Sequence, residues 1–270
     1  MREIADLPTI TGVAPGATVS QTIPVGPTYD RIHFMYSGVT PSQIKNVSLN
    51  LGTNMVTEYA TLQDLIDENN RFKRVSKEGV TTWHFVNDQF RSAQHFELVE
   101  QRMFSLGTAG VRSVQIKFQI DKDATAEVEI SAYAEKSAPV APGWLMKRRS
   151  FYYTVTNGRV EVQDLPRPPN ASICAIAIKA PGIKGVEFLV DNVKWRESIP
   201  LDLHNHIMEQ NGKTPIAGEF YLDFCLEGDK YGTLFLDPAI RDMRLRIDGS
   251  EQAQAEVVVY YMDNFAVSTF

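Results

Sequence analysis

The stretch Val114-Gln-Ile-Lys-Phe-Gln-Ile120 alternates apolar and polar residues from end to end. Because successive side chains of a β-strand point to opposite faces of a sheet, this alternation predicts a strand with one buried face. A shorter stretch of the same kind, Met243-Arg-Leu-Arg-Ile247, begins 129 residues later. The two stretches predict that both halves of the chain contain the same kind of sheet.

Two earlier blocks match in the same way, but at a spacing of 139 residues. Residues 44–51 and 183–190 both begin Ile-Lys and have apolar residues at the first, fourth, sixth and eighth positions. Leu62 meets Leu201 at the same spacing. Matching blocks in the same order indicate an internal duplication. The change in spacing gives the first half about ten extra residues, which lie within 85–111.

Glycine, proline, asparagine and aspartate interrupt the strand-like runs about every ten residues, a spacing typical of a sandwich or barrel. Each half also has one short helix signal. In the first half, Thr61 is suited to cap a helix whose apolar face begins at Leu62. In the second half, Ile199, Leu203 and Ile207 are spaced four residues apart. We expect each helix to cover an open barrel end.

The segment Ser137-Ala-Pro-Val-Ala-Pro-Gly143 is rich in proline and small residues, and it cannot continue a central strand. It predicts an N-terminal domain at 1–138, a linker at 139–147 and a C-terminal domain at 148–270. A domain of roughly 130 residues with about eight strands has the size of a jelly roll. The predicted fold class is therefore all-β, with two tandem eight-stranded antiparallel jelly-roll β-barrels and short helices in the connections.

The charge and the termini limit the function. A formal charge of −6 over 270 residues argues against a protein that neutralises many phosphates, so no specific nucleic acid partner is expected. The tightest basic run, Lys147-Arg148-Arg149, is interpreted as a solvated junction, with contact to lipid headgroups or nucleic acid as the alternative. The N-terminus lacks the apolar core of a signal peptide, which predicts a soluble protein made in a cytosol.

The two cysteines and three tryptophans have structural interpretations. Cys174 and Cys225 lie in strand-like apolar runs and are interpreted as small buried hydrophobes of a reduced compartment, although a disulfide is the alternative. Trp83, Trp144 and Trp195 are interpreted as core or interface anchors, with stacking on sugars as the alternative.

The five histidines are the first candidates for a catalytic or metal site. His204-x-His206 followed by Glu209 is similar to the start of the metal motif of cupins. The motif is incomplete, because no histidine follows residue 206 and the pair falls in the predicted helix rather than on a strand. We assign the pair to a helix surface and predict no catalytic site. A better candidate for a cation is the turn Asp121-Lys-Asp123, since two carboxylates one residue apart suit calcium, with an ordinary polar hairpin turn as the alternative.

Strand and turn segments of the first domain carry a family resemblance. These segments are Leu7–Gly16, Ile23–Tyr29, Gln43–Asn46, Leu106–Thr108 and Ala132–Pro139. They resemble the first domain of the major capsid proteins of corticoviruses, which are membrane-containing marine bacteriophages. Beyond residue 139 the resemblance rests on total length and on the second barrel. It implies a double jelly roll of the lineage that includes tectivirus coats and the adenovirus hexon.

The resemblance implies a viral capsid protein of the virion that requires no cofactor. Three subunits would form a pseudo-hexameric homotrimer that tiles an icosahedral shell over a membrane, with a vertex protein and the membrane or its proteins as further partners. It also implies bound calcium without identifying ligands, and Asp121 and Asp123 are our candidates. The extra residues of the first half, with Phe90, His95 and Phe96, are expected to form a partly helical loop at the capsomer top or in the trimer contact. A carbohydrate-binding or glycan-cleaving double jelly roll is the alternative.

Overall fold

The computed structural model describes residues 2–91, 101–125 and 127–266. Its contacts divide the chain into two units, Met1–Arg148 and Arg149–Phe270. The elements of the first unit are β1 (Glu3–Asp6), β2 (Thr18–Ile23), β3 (Thr28–Ser37), β4 (Ile44–Leu51), β5 (Asn54–Thr61), α1 (Leu62–Arg71), β6 (Val80–His84), β7 (Leu106–Gly107), β8 (Val114–Ile120) and β9 (Glu129–Ser137). Strand β10 (Trp144–Val155) begins in the first unit and continues into the second. There it is followed by β11 (Gly158–Val162), β12 (Ser172–Lys179), β13 (Ile183–Val190), β14 (Val193–Arg196), α2 (Leu201–Gln210), β15 (Glu219–Asp223), β16 (Leu234–Phe235), β17 (Met243–Gly249) and β18 (Ala253–Asn264).

The first unit is a jelly roll of two antiparallel sheets. One sheet has the order β1-β9-β3-β6, with the two-residue strand β7 beside β3. The other has the order β5-β4-β8-β2. Buried residues alternate along β8, as one packed face requires. The alternation that predicted this strand is therefore confirmed.

The second unit repeats the topology of the first, strand for strand. Its sheets have the orders β10-β18-β12-β15, with the two-residue β16 beside β12, and β14-β13-β17-β11. Strands β1 to β9 thus correspond in order to β10 to β18. The blocks matched in the sequence form equivalent strands, β4 with β13 and β8 with β17. The prediction of two eight-stranded jelly rolls is confirmed, since each unit has eight strands of four or more residues besides its two-residue strand.

The core of the second unit explains why some of its strands do not alternate. Every residue of β15 is buried, as are all but the last of β12. Such strands read as continuous apolar runs because both of their faces are covered. Burial of one large apolar side chain contributes about 1.5–3 kcal/mol. The buried apolar side chains of these strands are therefore the main stabilising feature of the second unit. Cys174 and Cys225 are buried here as free thiols, as the sequence predicted.

Both predicted helices are present, but one buries a different face. Thr61 begins α1 with a capping box, in which its backbone N–H donates to the Asp64 carboxylate at 2.8 Å. The helix packs on β5 and β6, which belong to different sheets, so it covers one end of the barrel. In α2 the predicted apolar position Leu203 is 48% exposed, and Met208 is buried instead.

The basic run at the start of β10 is not the solvated junction that its composition suggested. Lys147 and Arg148 are 0% and 2% exposed, although Arg149 is half-buried. The guanidinium of Arg148 lies 4.5 Å from the ring centre of Tyr59 and donates to the backbone carbonyl of Glu58. A cation over an aromatic face with a carbonyl acceptor tolerates burial, which the composition of the run does not reveal.

The connection that holds Asp121 and Asp123 also differs from the prediction. It joins β8 to β9, which lie in different sheets of the first unit. It is therefore a crossover between sheets and not a hairpin turn. Strand β9, which follows this connection, begins at Glu129.

Candidate functional site

The predicted calcium ligands do not form a cation site in the described part of the chain. One carboxylate oxygen of Asp121 pairs with the Lys45 ammonium, and the other accepts a hydrogen bond from the Asp123 backbone N–H at 3.0 Å. The Asp123 hydrogen bond, followed by Lys45, lowers the pKa of Asp121. Among the residues the structure describes, no three His, Cys, Asp or Glu side chains are grouped as metal ligands. The donors present at Asp121 and Asp123 therefore do not fit calcium, which needs six to eight oxygen ligands.

The predicted interface loop is described only at its base. His95 and Phe96 lie outside the described residues. Phe90 is 2% exposed and packs on Phe104, with ring centres 5.4 Å apart. Because Phe90 belongs to the core of its own subunit, any subunit contact made by this loop involves its other residues. That contact remains a prediction.

A buried carboxylate holds the base of the same loop. Asp30 is 2% exposed, and Arg102 contacts both of its oxygens, at 2.8 and 3.1 Å. The Ser105 hydroxyl donates to the same carboxylate at 2.7 Å, and Arg102 also donates to the Ser137 hydroxyl. The loop is thus tied to β3 and β9 by charge-assisted hydrogen bonds. No local pattern in the sequence indicates this arrangement, because its members are spread over more than 100 residues.

The histidine pair of α2 has no metal geometry. The His204 ring stacks on Phe220, with ring centres 3.9 Å apart, and its Nε2 lies 3.0 Å from the Tyr221 carbonyl oxygen. Burial lowers the pKa of His204, which favours the neutral ring. His206 is exposed and contacts only Gln210 among the described hydrogen-bond partners. The two rings do not converge on one point, and His204 is a packing residue rather than the surface residue we expected.

A cavity of about 460 Å³ lies under α2 in the second unit. Its walls are mainly apolar, from Met208, Phe220 and Phe224, with the carboxylate of Asp223 among its polar groups. The carboxylate is paired with Lys213, whose side chain is only 3% exposed. A carboxylate that is neutralised in this way is a structural group and a poor general base.

A network of ion pairs covers the outer face of the sheet β14-β13-β17-β11. Glu187, whose side chain is 4% exposed, accepts from Arg246 at 2.7 Å and lies 3.3 Å from the Lys194 ammonium. Arg246 holds the pKa of Glu187 below its ordinary value. Arg159 pairs with Asp248 at 2.7 Å on the same sheet. These pairs fix the charged side chains on a surface that ends at the strand β14.

Six of the described strands lie at sheet edges, namely β1, β2, β6, β11, β14 and β15. Two of these edge strands, β1 and β14, carry exposed apolar residues beside charged ones. Among the described strands, β14 pairs only with β13, and β1 pairs only with β9. All four residues of β14 are exposed, including Val193 at 62% and Trp195 at 41%. Ile4 in β1 is 75% exposed. Of the three tryptophans, Trp83 is a core residue at 2% exposure and Trp144 is half-buried, so the exposed Trp195 is the one that suits an interface.

Two family comparisons follow the division of the chain. Residues 4–137 match the family described as viral coat protein P2 N-terminal domain, and residues 145–265 match viral coat protein P2 C-terminal domain. The chain belongs to the viral coat protein P2 family. It is 46% identical over 262 residues to the major capsid protein P2 of Pseudoalteromonas phage PM2, with 97% of each chain covered. The resemblance to corticovirus capsid proteins is confirmed, and the function is that of a structural coat protein rather than an enzyme.

Solved structures of capsid proteins have the same fold as this chain. The crystal structure of the major capsid protein P2 from bacteriophage PM2 covers all of both chains, with a TM-score of 0.97 and 44% identity. A chain of Sulfolobus turreted icosahedral virus has a TM-score of 0.67 at 12% identity, covering 96% of this chain and 90% of that one. A PBCV-1 capsid chain has a TM-score of 0.59 at 9% identity, covering 97% and 93%. The last two show that the double jelly-roll fold persists where sequence similarity does not.

No described helix has the length and apolar composition to cross a membrane.

Proposed function

We propose that three copies of this coat protein form a capsomer with a hexagonal outline. The observation that supports this proposal is the equivalence of strands β1–β9 and β10–β18. Because each chain supplies two barrels of the same topology, three chains present six similar barrels. A three-fold oligomer can then occupy six-coordinated positions of a lattice, which a trimer of single barrels does not match.

At the level of the particle, the trimers tile an icosahedral shell over an internal membrane. The corticovirus resemblance supports both the shell and the membrane beneath it. A different protein occupies the five-fold vertices, because a ring of six similar barrels does not match a five-fold axis. Synthesis of the chain takes place in the host cytoplasm before assembly into the virion.

The mass of the purified protein tests the trimer. Size-exclusion chromatography with light scattering is expected to give about 91 kDa, three times the 30.3 kDa chain. Negative-stain electron microscopy of the same fraction should show particles with a hexagonal outline. A monomer that persists at high protein concentration would contradict the proposal.

The domain boundaries belong to the same proposal. The family matches end at residue 137 and resume at residue 145, and β10 begins at Trp144. We place the N-terminal domain at 1–138, the linker at 139–147 and the C-terminal domain at 148–270, and the division of the chain's contacts after Arg148 supports this placement.

A structural calcium ion remains a prediction. Because the oxygens of Asp121 already have protein partners, we do not expect Asp121 to be one of its ligands. We expect the melting temperature to respond to calcium and to a chelator equally in the wild-type protein and in Asp121→Asn. The physical reason is that both Asp121 oxygens already have protein partners, Lys45 and the Asp123 N–H. Differential scanning fluorimetry with calcium chloride or EDTA measures this response. A calcium-dependent rise that disappears in Asp121→Asn would return the ion to this turn.

A further inference from the structure

The open edges of β1 and β14 have counterparts within the first unit. By the equivalence of the two units, β1 corresponds to β10, and β14 corresponds to β5. These counterparts lie side by side. Strand β10 runs parallel to β5 with Arg148 paired to Thr57, and the Thr57 hydroxyl donates to the Met146 carbonyl at 3.5 Å. Met146 and Arg148, which make this contact, belong to the first unit.

One position on the edge of β5, Thr57, is thus paired within the first unit by Arg148 of β10. After Arg148 the same strand continues as the neighbour of β18 in the second unit. The equivalent edge, β14, has no strand on its outer side among the described residues. The strand equivalent to β10 is β1, which begins the first barrel and is itself open on one side.

We propose that β1 of one copy lies parallel to β14 of a second copy, as β10 lies along β5. The proposal rests on the proposed trimer, for which it names the subunit contact. The contact is heterologous, since different surfaces of the two copies meet, and such contacts form a ring when the rotation between copies closes.

Charge and exposure on the two strands agree with this pairing. Strand β1 carries Glu3 and Asp6, whereas β14 carries Lys194 and Arg196. Arg196 is held at the edge by its position over the Phe224 ring, 5.6 Å from the ring centre. Complementary charges fix the register and orientation of a contact.

Exposed apolar residues are a second reason to expect that another chain packs on the edges of β1 and β14. Ile4, Val193 and Trp195 are 75%, 62% and 41% exposed, on strands that have no second neighbour among the described strands. Open strand edges of this kind are templates for pairing, and proteins normally shield them. A second copy shields both edges at once.

Cysteine crosslinking tests the contact. Chains with Ile4→Cys are mixed with chains with Val193→Cys or Trp195→Cys, oxidised mildly, and run on a non-reducing gel. Because the two strands would be neighbours, about 5 Å apart, we expect covalent dimers in at least one of the two mixtures. A chain that carries both substitutions should give covalent trimers. The background is low because Cys174 and Cys225 are buried.

Controls separate this contact from other associations. Each single variant alone should give no dimer, because a heterologous contact does not bring two copies of the same strand together. Val75→Cys, at a position 94% exposed, is the matched partner for Ile4→Cys and should not crosslink. Light scattering of the same variants before oxidation reports the trimer independently. A trimer without β1–β14 crosslinks overturns the pairing but leaves the proposed function, whereas a monomer without crosslinks overturns both.

Discussion

Replacing Lys213 by methionine is expected to lower the free energy of unfolding by about 3–5 kcal/mol, the cost of leaving a buried charge without its partner. Lys213 and Asp223 form an ion pair whose side chains are 3% and 6% exposed. The Lys213 ammonium also donates to the Leu226 carbonyl at 3.1 Å, and Asp223 accepts from the Cys225 N–H at 2.7 Å. Methionine fills similar space, so the main change is the unpaired carboxylate of Asp223 in the core of the second unit. Urea unfolding followed by circular dichroism, at one fixed protein concentration, measures the loss.

Two further variants test whether burial of the ion pair causes the loss of stability in Lys213→Met. Lys45→Met removes an ammonium that is 47% exposed and pairs with Asp121, and it should leave stability close to that of the wild type. Adding Asp223→Asn to Lys213→Met should recover part of the loss, because the amide oxygen still accepts from the Cys225 N–H without a buried charge. Equal stability of Lys213→Met and Lys45→Met would show that the buried pair does not contribute as proposed.

This pair also shows where the sequence stops being informative. Asp223 stands in the run Phe220-Tyr-Leu-Asp-Phe-Cys225, and a carboxylate among apolar residues is a signal that a buried charge needs a partner. Nothing in the sequence identifies Lys213 as that partner, since it follows α2 in a connection and the pairing depends on how α2 ends. The charge was therefore predictable, but the contact was not.

The fold was predictable because its cause is local and repeated. Period-two alternation in β8 and β17 follows directly from one buried face, and the matched spacings revealed the two equivalent units. Errors occurred where tertiary contacts override a local pattern. The buried face of α2 is set by Phe220 beneath it, so His204 packs inward while Leu203 is exposed. Arg148 is buried because Tyr59, about 90 residues away, lies beneath it.

The functional surface was the least predictable part. The resemblance led to the coat protein family, but no residue pattern pointed to the edges of β1 and β14. Those edges are visible only from strand order, which depends on pairings between distant segments. Asp121 and Asp123 illustrate the opposite case, in which a local pattern predicted ligands and the Lys45 ammonium already occupies one of the carboxylate oxygens.

Lowering the pH from 7 to 5 is expected to destabilise the protein by about 2 kcal/mol through His84 alone. Burial, followed by the positive charge of Arg74, lowers the pKa of His84 from 6.5 to about 3, against a weaker opposing effect of Asp88. The geometry agrees, because the His84 Nδ1 accepts a hydrogen bond from the Arg31 Nε–H at 3.2 Å and must be unprotonated to do so.

The direction follows from proton binding in the two states. The unfolded chain takes up a proton on His84 below pH 6.5, whereas the folded chain does so only near pH 3. The stabilisation from the neutral ring is therefore complete above pH 6.5 and is lost progressively as the pH falls toward 3. His204, whose pKa is also lowered by burial, adds a loss of the same sign. The range from pH 7 to 5 isolates these rings, because carboxylates with lowered pKa values titrate below it.

His84→Asn separates this contribution from the rest, since its side-chain oxygen can accept from Arg31 where Nδ1 does in the wild type. We expect near wild-type stability of the variant at pH 7. We also expect its loss of unfolding free energy between pH 7 and 5 to be smaller than that of the wild type by about 2 kcal/mol. Urea unfolding at both pH values, at one protein concentration, gives the difference. Parallel profiles for the two proteins would show that His84 is protonated in the folded state without cost, and that the Arg31 hydrogen bond does not hold the ring neutral.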